Sequence, residues 1–222
     1  GFTEYRTTPG ESILTHYQRA QELYSSEKAA LDEGNILIDI GLVYYSILKD
    51  PDKALDFYEQ ARVKFEAAGS TRGLTRAFGN MGAQLYALGR YEEALEHHTR
   101  ANELAAQSAD RMLLATSNGA MALCELAPCR SSPALLHLRE ELRIALEIGD
   151  GYLQEMCREN MGELYMVLGA FDEAMNMYAE AQALAEASGS TAGVAADHID
   201  IAGCLIETRD FDFVTPRRPC TM

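Results

Sequence analysis

The sequence predicts an all-α fold, a solenoid of antiparallel helix hairpins, and three observations carry that reading. The stretch LGRYEEALEHHTRANELA at 88–105 returns as LGAFDEAMNMYAEAQALA at 168–185, two cycles of a forty-residue period. Within a cycle the apolar residues fall three and four apart, at Met81, Leu85 and Leu88, then at Tyr91, Ala94, Leu95, His98, Ala101 and Leu104. The apolar 47% is rich in Ala, Leu, Met and Tyr, sparse in Val and Ile and without Trp, a mixture that favours helix over strand.

Residues 1–30 hold one amphipathic helix, ESILTHYQRAQELY, whose Leu14, Tyr17 and Ala20 align with Leu55, Tyr58 and Ala61; it reads as the second helix of a partial repeat. Repeat 1 spans 31–70 and carries one extra residue in the turn LKDPDKA, where Pro51 suits the first turn of a helix. Repeat 2 spans 71–110, and Gly89 stands where its first helix ends and the chain reverses. The boundaries GSTRG (69–73), ADR (109–111), GDG (149–151) and GSTAG (189–193) supply Ser, Thr and Asp to cap the helix that follows.

Repeat 3 (111–150) is degenerate: Ala122 replaces a glycine, Glu125 takes a large apolar position, Glu141 a small one, and Pro128 stands near the end of its first helix. Burying either acid unpaired is expensive, so both are expected to tilt outward and loosen this layer. Repeat 4 spans 151–190. A truncated repeat 5 (191–213) is expected to lack its second helix, because Pro216 and Pro219 fall where that helix should run. The remaining end helix carries Ile199, Ile201, Leu205 and Ile206, too apolar for a cap, and 214–222 is an irregular tail. The chain opens on Gly1 instead of Met, and the expectation is an array cut at both ends.

These residues resemble the tetratricopeptide repeat family, whose helix pairs set small residues at three close-packing positions with large ones between. Gly82, Ala94 and Ala101 match, with Met81, Leu85 and His98; so do Gly162, Ala174 and Ala181, with Met161, Tyr165 and Tyr178, and Gly41, Ala54 and Ala61, with Ile40, Tyr44 and Tyr58. The match runs from roughly Ser12 to Phe213. It implies a right-handed superhelix, and the forty-residue period is similar to the variant found in adaptor proteins of cell polarity and receptor clustering.

The formal charge of −15, from 34 acids against 19 bases, argues against a phosphate-binding face, so nucleic acid is excluded as a partner; Arg217–Arg218 is the one tight basic pair. No apolar run reaches the length of a membrane span. Cys124, Cys129, Cys157, Cys204 and Cys220 are odd in number and lack framework spacing, which reads as reduced thiols in a cytoplasmic protein. His97 and His98 point about 100° apart on a helix. His98 holds the place of Tyr58 and Tyr178, a core position, and Cys124 and Cys129 lack nearby histidines, so neither metal nor other cofactor is expected. Glu92, Glu93 and Glu96 form a solvated helix face. The sequence holds no phosphate loop, nucleophile elbow or paired metal motif, and no enzymatic activity is expected.

Stacked hairpins line an inner wall with their first helices. In the register of the family the wall positions carry Asn35, Ile38, Asp39, Leu42 and Tyr45 in repeat 1. They carry Arg76, Gly79, Asn80, Ala83 and Tyr86 in repeat 2, and Met156, Glu159, Asn160, Glu163 and Met166 in repeat 4. Asn80 and Asn160 share one phase, and an amide both donates and accepts, which suits it to hold a ligand backbone; Asp39, Ala120 and Asp200 occupy that phase elsewhere. Arg76 is the one base among acids, which argues against a clamp for a terminal carboxylate and for a basic or amphipathic peptide against Tyr and Met. The expected function is a noncatalytic protein–protein interaction scaffold that takes a peptide segment of a partner in this groove. Two alternatives stand beside it. One is a structural module that self-associates into a homo-oligomer through the apolar end helix. The other is a regulatory helical-repeat fragment of a larger signalling protein.

Overall fold

The computed structural model describes residues 9–27, 30–127 and 130–211. Pro128, Cys129, Arg217–Arg218, Pro216, Pro219, Cys220 and the tail fall outside them, and with them the expectation about the second helix of repeat 5. The described residues form ten α-helices: α1 (Pro9–Glu27), α2 (Ala30–Val43), α3 (Pro51–Ala67), α4 (Thr71–Ala87), α5 (Tyr91–Ser108), α6 (Arg111–Leu126), α7 (Ser131–Ile148), α8 (Gly151–Leu168), α9 (Phe171–Ser188) and α10 (Thr191–Phe211). They divide into two compact units, the first ending at Ala109 and the second beginning at Asp110.

Helices α4, α6, α8 and α10 start where the sequence offers a cap, whereas α5, α7 and α9 start without a side-chain cap. The Ser70 hydroxyl accepts the Gly73 N–H at 3.1 Å, Asp110 that of Leu113 at 3.2 Å, Asp150 that of Leu153 at 2.9 Å, and Ser190 that of Gly193 at 3.1 Å. Each satisfies a backbone donor that the first turn leaves without a helical partner, worth ~1 kcal/mol. Helix α4 ends at Gly89, which takes φ 75° and lets the Arg90 N–H return to the Leu85 carbonyl at 2.9 Å.

The extra residue before α3 is taken up inside the helix. Tyr44–Leu48 form a π-helical turn, which holds one residue more than an α turn, and the Asp50 N–H reaches back to the Tyr44 carbonyl at 3.0 Å. Asp50 then caps α3, accepting from the Lys53 N–H, and Pro51 opens that helix.

In the first unit α1 packs on α2, α2 on α3, α3 on α4 and α4 on α5. In the second, α6 packs on α7, α7 on α8, α8 on α9 and α9 on α10. The hairpins share one contact rule. Tyr58 lies on Gly41, His98 on Gly82 and Tyr178 on Gly162, so near that an added Cβ would stand 2.4, 2.7 and 2.5 Å from ring atoms. Ala122 stands at the glycine position of the α6–α7 hairpin because the side chain across from it is Leu138, which needs less room than a ring; both are fully buried in one cluster.

The same hairpin corrects an expectation. Glu125 and Glu141 do not tilt outward: both are buried, Glu141 at 0% exposure. The Glu141 carboxylate lies in the niche left by Gly119, and burial raises its pKa to about 7. The carboxyl meets the burial penalty by holding its proton instead of swinging into water.

Candidate functional site

The first helices of the hairpins carry the positions singled out above. In the first unit these are α2, with the π turn behind it, and α4. Arg76 Nη1 donates to Asn35 Oδ1 at 2.8 Å, a bond from α4 to α2 that holds these two side chains together. They line a cleft of about 400 Å³ with Leu31, Ser70, Arg72 and Gly73. Beside it burial raises the pKa of Asp39, while Arg76 pulls it back. Leu42 and Tyr45 are exposed, Asn80 is half-buried, and the Tyr86 ring is tilted against Tyr91 with centroids 5.4 Å apart.

Ile38 does not belong to this wall. It is 1% exposed and packed in one cluster with Ala61, Tyr58 and Met81. With Gly41 under Tyr58, the position one turn earlier on α2 faces α3, so its side chain enters the hairpin seam and not the surface.

In the second unit Met156, Glu159 and Asn160 are half-buried on α8 and Glu163 is exposed. Met166 Sδ accepts from the Cys204 thiol of α10 at 3.1 Å, so this methionine is partly engaged in holding α10. The side-chain amides of Asn80, in the first unit, and Asn160, in the second, have no partner among the described residues, and each is available to a ligand from its own unit.

Sequence reasoning missed several polar groups of the second unit. Asn118 Nδ2 donates to the Leu114 carbonyl at 2.8 Å, while its Oδ1 lies 3.2 Å from His137 Nδ1. His137 Nε2 in turn stands 3.6 Å from Glu125, whose pKa is raised by burial, with Arg130 acting against it. Asp197 is wholly buried on α10 with neither carboxylate oxygen hydrogen-bonded. Burial, then the charges of Glu155 and Asp200, push its pKa up to about 6 against the opposite pull of His198. A signal existed: Asp197 stands forty residues after Cys157, in a phase that α8 buries. Cys124, Cys157 and Cys204 are buried free thiols, and burial raises the pKa of each. Among the described residues no cluster of His, Cys, Asp and Glu has the arrangement of a metal site, and no helix is long and apolar enough to cross a membrane.

The sequence model of the tetratricopeptide repeat family matches residues 74–147. No curated protein matches the chain. Among solved structures, aspartyl phosphate phosphatase F from Bacillus subtilis superposes with a TM-score of 0.77 at 14% identity, over 90% of this chain and 54% of that one. A Rap protein complexed with Competence and Sporulation Factor gives 0.71 at 18% identity, over 88% and 58%. BtubC (BKLC) from P. vanneervenii gives 0.70 at 15% identity, over 97% and 98%. The chain spans about half the length of the phosphatase, and at these identities the likeness is one of fold. Residues 74–147 match tetratricopeptide repeats, and the described residues on either side of them continue as packed helices of the same kind of fold.

Proposed function

We propose that the chain is a noncatalytic interaction module that holds a basic or amphipathic peptide segment of a protein partner on the walls formed by its first helices. The observation that carries this reading is the state of the wall: the Asn80 and Asn160 amides are uncommitted, and Leu42, Tyr45 and Glu163 are exposed. Amides take the ligand backbone, apolar and aromatic side chains take its apolar face, and Asp39, Glu159 and Glu163 favour its positive charge. The Rap protein of this fold, solved in complex with Competence and Sporulation Factor, supports the idea that such an array takes up a partner. The reading includes the repeat divisions given above and a cytoplasmic setting in which the buried thiols stay reduced.

Selection from a random peptide library tests it. The intact chain should enrich Lys- and Arg-bearing or amphipathic peptides, and an Asn80→Ala/Tyr86→Ala/Asn160→Ala variant with unchanged circular dichroism should lose them at least ten-fold. Enrichment of acidic peptides, or equal binding by the variant, sinks the reading.

A second reading rests on α10, where Ile199 is 72% exposed and Leu205 and Ile206 are exposed beside it. Such an apolar face suits a copy of the chain. Sedimentation should then report a dimer that Ile199→Ser/Leu205→Ser converts to a monomer; a monomer at every concentration removes this reading.

A further inference from the structure

In the second unit, α8 and α10 bring five acids into one neighbourhood. Glu155 is buried, with Oε1 over the backbone of α10 so near that a Cβ on Gly193 would stand 2.5 Å away. Asp197 is buried at 0% exposure and both its oxygens lack a hydrogen-bond partner. Glu159 and Asp200 are half-buried and Glu163 is exposed. The acids sense one another: burial first, then the charges of Asp197, Glu155 and Asp200, raise the pKa of Glu159. Burial and the charges of Asp200, Cys204, Glu163 and Glu159 likewise raise that of the Tyr178 phenol.

None of the five has a basic partner within ion-pair reach among the described residues. The one arginine of α8, Arg158, is held by Glu180 at 2.8 Å and by the Gln154 carbonyl at 3.0 Å. His198 is the imidazole nearest Asp197 in its effect, and its Nε2 lies 3.2 Å from Gln182. A folded chain that gathers carboxylates around a buried, unsatisfied one incurs both desolvation and repulsion. A cation entering from the exposed Glu163 side relieves both.

We propose that Asp197, Glu155, Glu159 and Asp200 form a pocket that receives one cationic side chain, an arginine or lysine, of the bound segment. A guanidinium fits best, because its planar fork gives several donors to several carboxylate oxygens at once and is weakly hydrated. Asp197 is the fully buried member, Glu155 lies against α10 at Gly193, and Glu159 and Asp200 are the half-buried members nearer solvent. Asp200 and Glu159 stand on the wall positions, so this pocket rests on the wall reading above and supplies its specificity.

The test is a titration of the full chain, uniformly labelled with nitrogen-15, with N-acetyl-arginine amide followed through its amide resonances. Saturable shifts are expected on α8 and α10, weakened by salt and at least ten-fold weaker with the citrulline analogue, which keeps the shape and drops the charge. Asp197→Asn and Glu159→Gln should each weaken binding at least ten-fold, while Glu96→Gln, an equal charge change in the first unit, leaves it unchanged. Without ligand, Asp197→Asn should raise the melting temperature, since it removes repulsion; a purely structural carboxylate would lower it.

The proposal is overturned by no saturable shift up to tens of millimolar, by citrulline binding as well as arginine, by shifts spread over all acidic surfaces, or by calcium ion alone giving the same shifts more tightly. Library peptides that bind only through α2 and α4 would end this pocket and leave the wall reading intact. Arginine uptake at α8 and α10 without any peptide binding would do the reverse.

Discussion

Glu141 lies against the bare Cα of Gly119, so that a Cβ built there would stand 2.4 Å from its Oε1. An acid at the position that Ala101 and Ala181 hold in other hairpins fits because α6 offers no side chain across from it. Gly119→Ala should therefore destabilise by ~1–3 kcal/mol through overpacking. In a Glu141→Ala background the same change should be close to neutral. Urea unfolding of the two single variants and the double variant measures the coupling, and additive costs would contradict the contact.

The acidity of Glu141 sets a pH window. Burial raises its pKa to about 7 from 4.5; the Cys157 thiol opposes this weakly and donates instead to the Leu138 carbonyl at 3.2 Å. Between those values the folded chain holds a proton that the unfolded chain has released, so stability falls as pH rises. The full contribution is present below about 4.5 and lost by about 7, on the order of 3 kcal/mol. The difference in unfolding free energy between the native chain and Glu141→Gln should grow across that window. A constant difference would contradict the burial of an ionisable acid there.

His98 acts in the opposite sense. Burial, then His97, lowers its pKa to about 4 from 6.5, so the unfolded chain takes up a proton first and stability falls as pH drops from 6.5 toward 4. On acidification from pH 7 to 5, hydrogen exchange should quicken in α4 and α5 of the native chain and much less in His98→Leu. Equal acceleration in both would contradict this assignment.

The glycine-to-ring rule can be exchanged between hairpins. Gly82→Ala places a methyl group 2.7 Å from the His98 ring and should cost ~1–3 kcal/mol. Combined with His98→Leu it recreates the Ala122–Leu138 pair and should recover most of that loss. Thermal unfolding checks it; no recovery would mean that backbone strain, not the ring, sets the cost.

Ala109 ends α5 with φ 53°, a left-handed conformation that glycine occupies at Gly89, Gly149, Gly169 and Gly189. Ala109→Gly should stabilise by ~1 kcal/mol, because the Cβ clash outweighs the added freedom of the unfolded chain. A loss of stability in chemical denaturation would contradict this.

Most of the architecture was legible because it follows from local physics. The three-and-four spacing, the Ser and Asp caps and Gly89 each act within one helix or one turn. The Gly82–His98 and Gly162–Tyr178 pairs were legible as a repeated size pattern. Glu141 was misread because its burial depends on a glycine on another helix and on a proton that a sequence does not display. Ile38 was misread because seam and wall are neighbouring faces of α2, separated by about one 100° step. The π turn was placed in the loop because one surplus residue looks the same in either location. The acids around Asp197 come together only when α10 packs into the second unit, a tertiary juxtaposition that no single helix pattern displays.

The measurement that tests the account most directly is the footprint of a library-selected peptide on the full chain, read from amide resonance shifts. The account expects saturable shifts on the first helices of a unit, α2 and α4 with Asn80 in the first or α8 and α10 with Asn160 in the second, with α3, α5, α7 and α9 little changed. Shifts concentrated on α3, α5, α7 and α9 would contradict the central claim that the first helices form the binding wall.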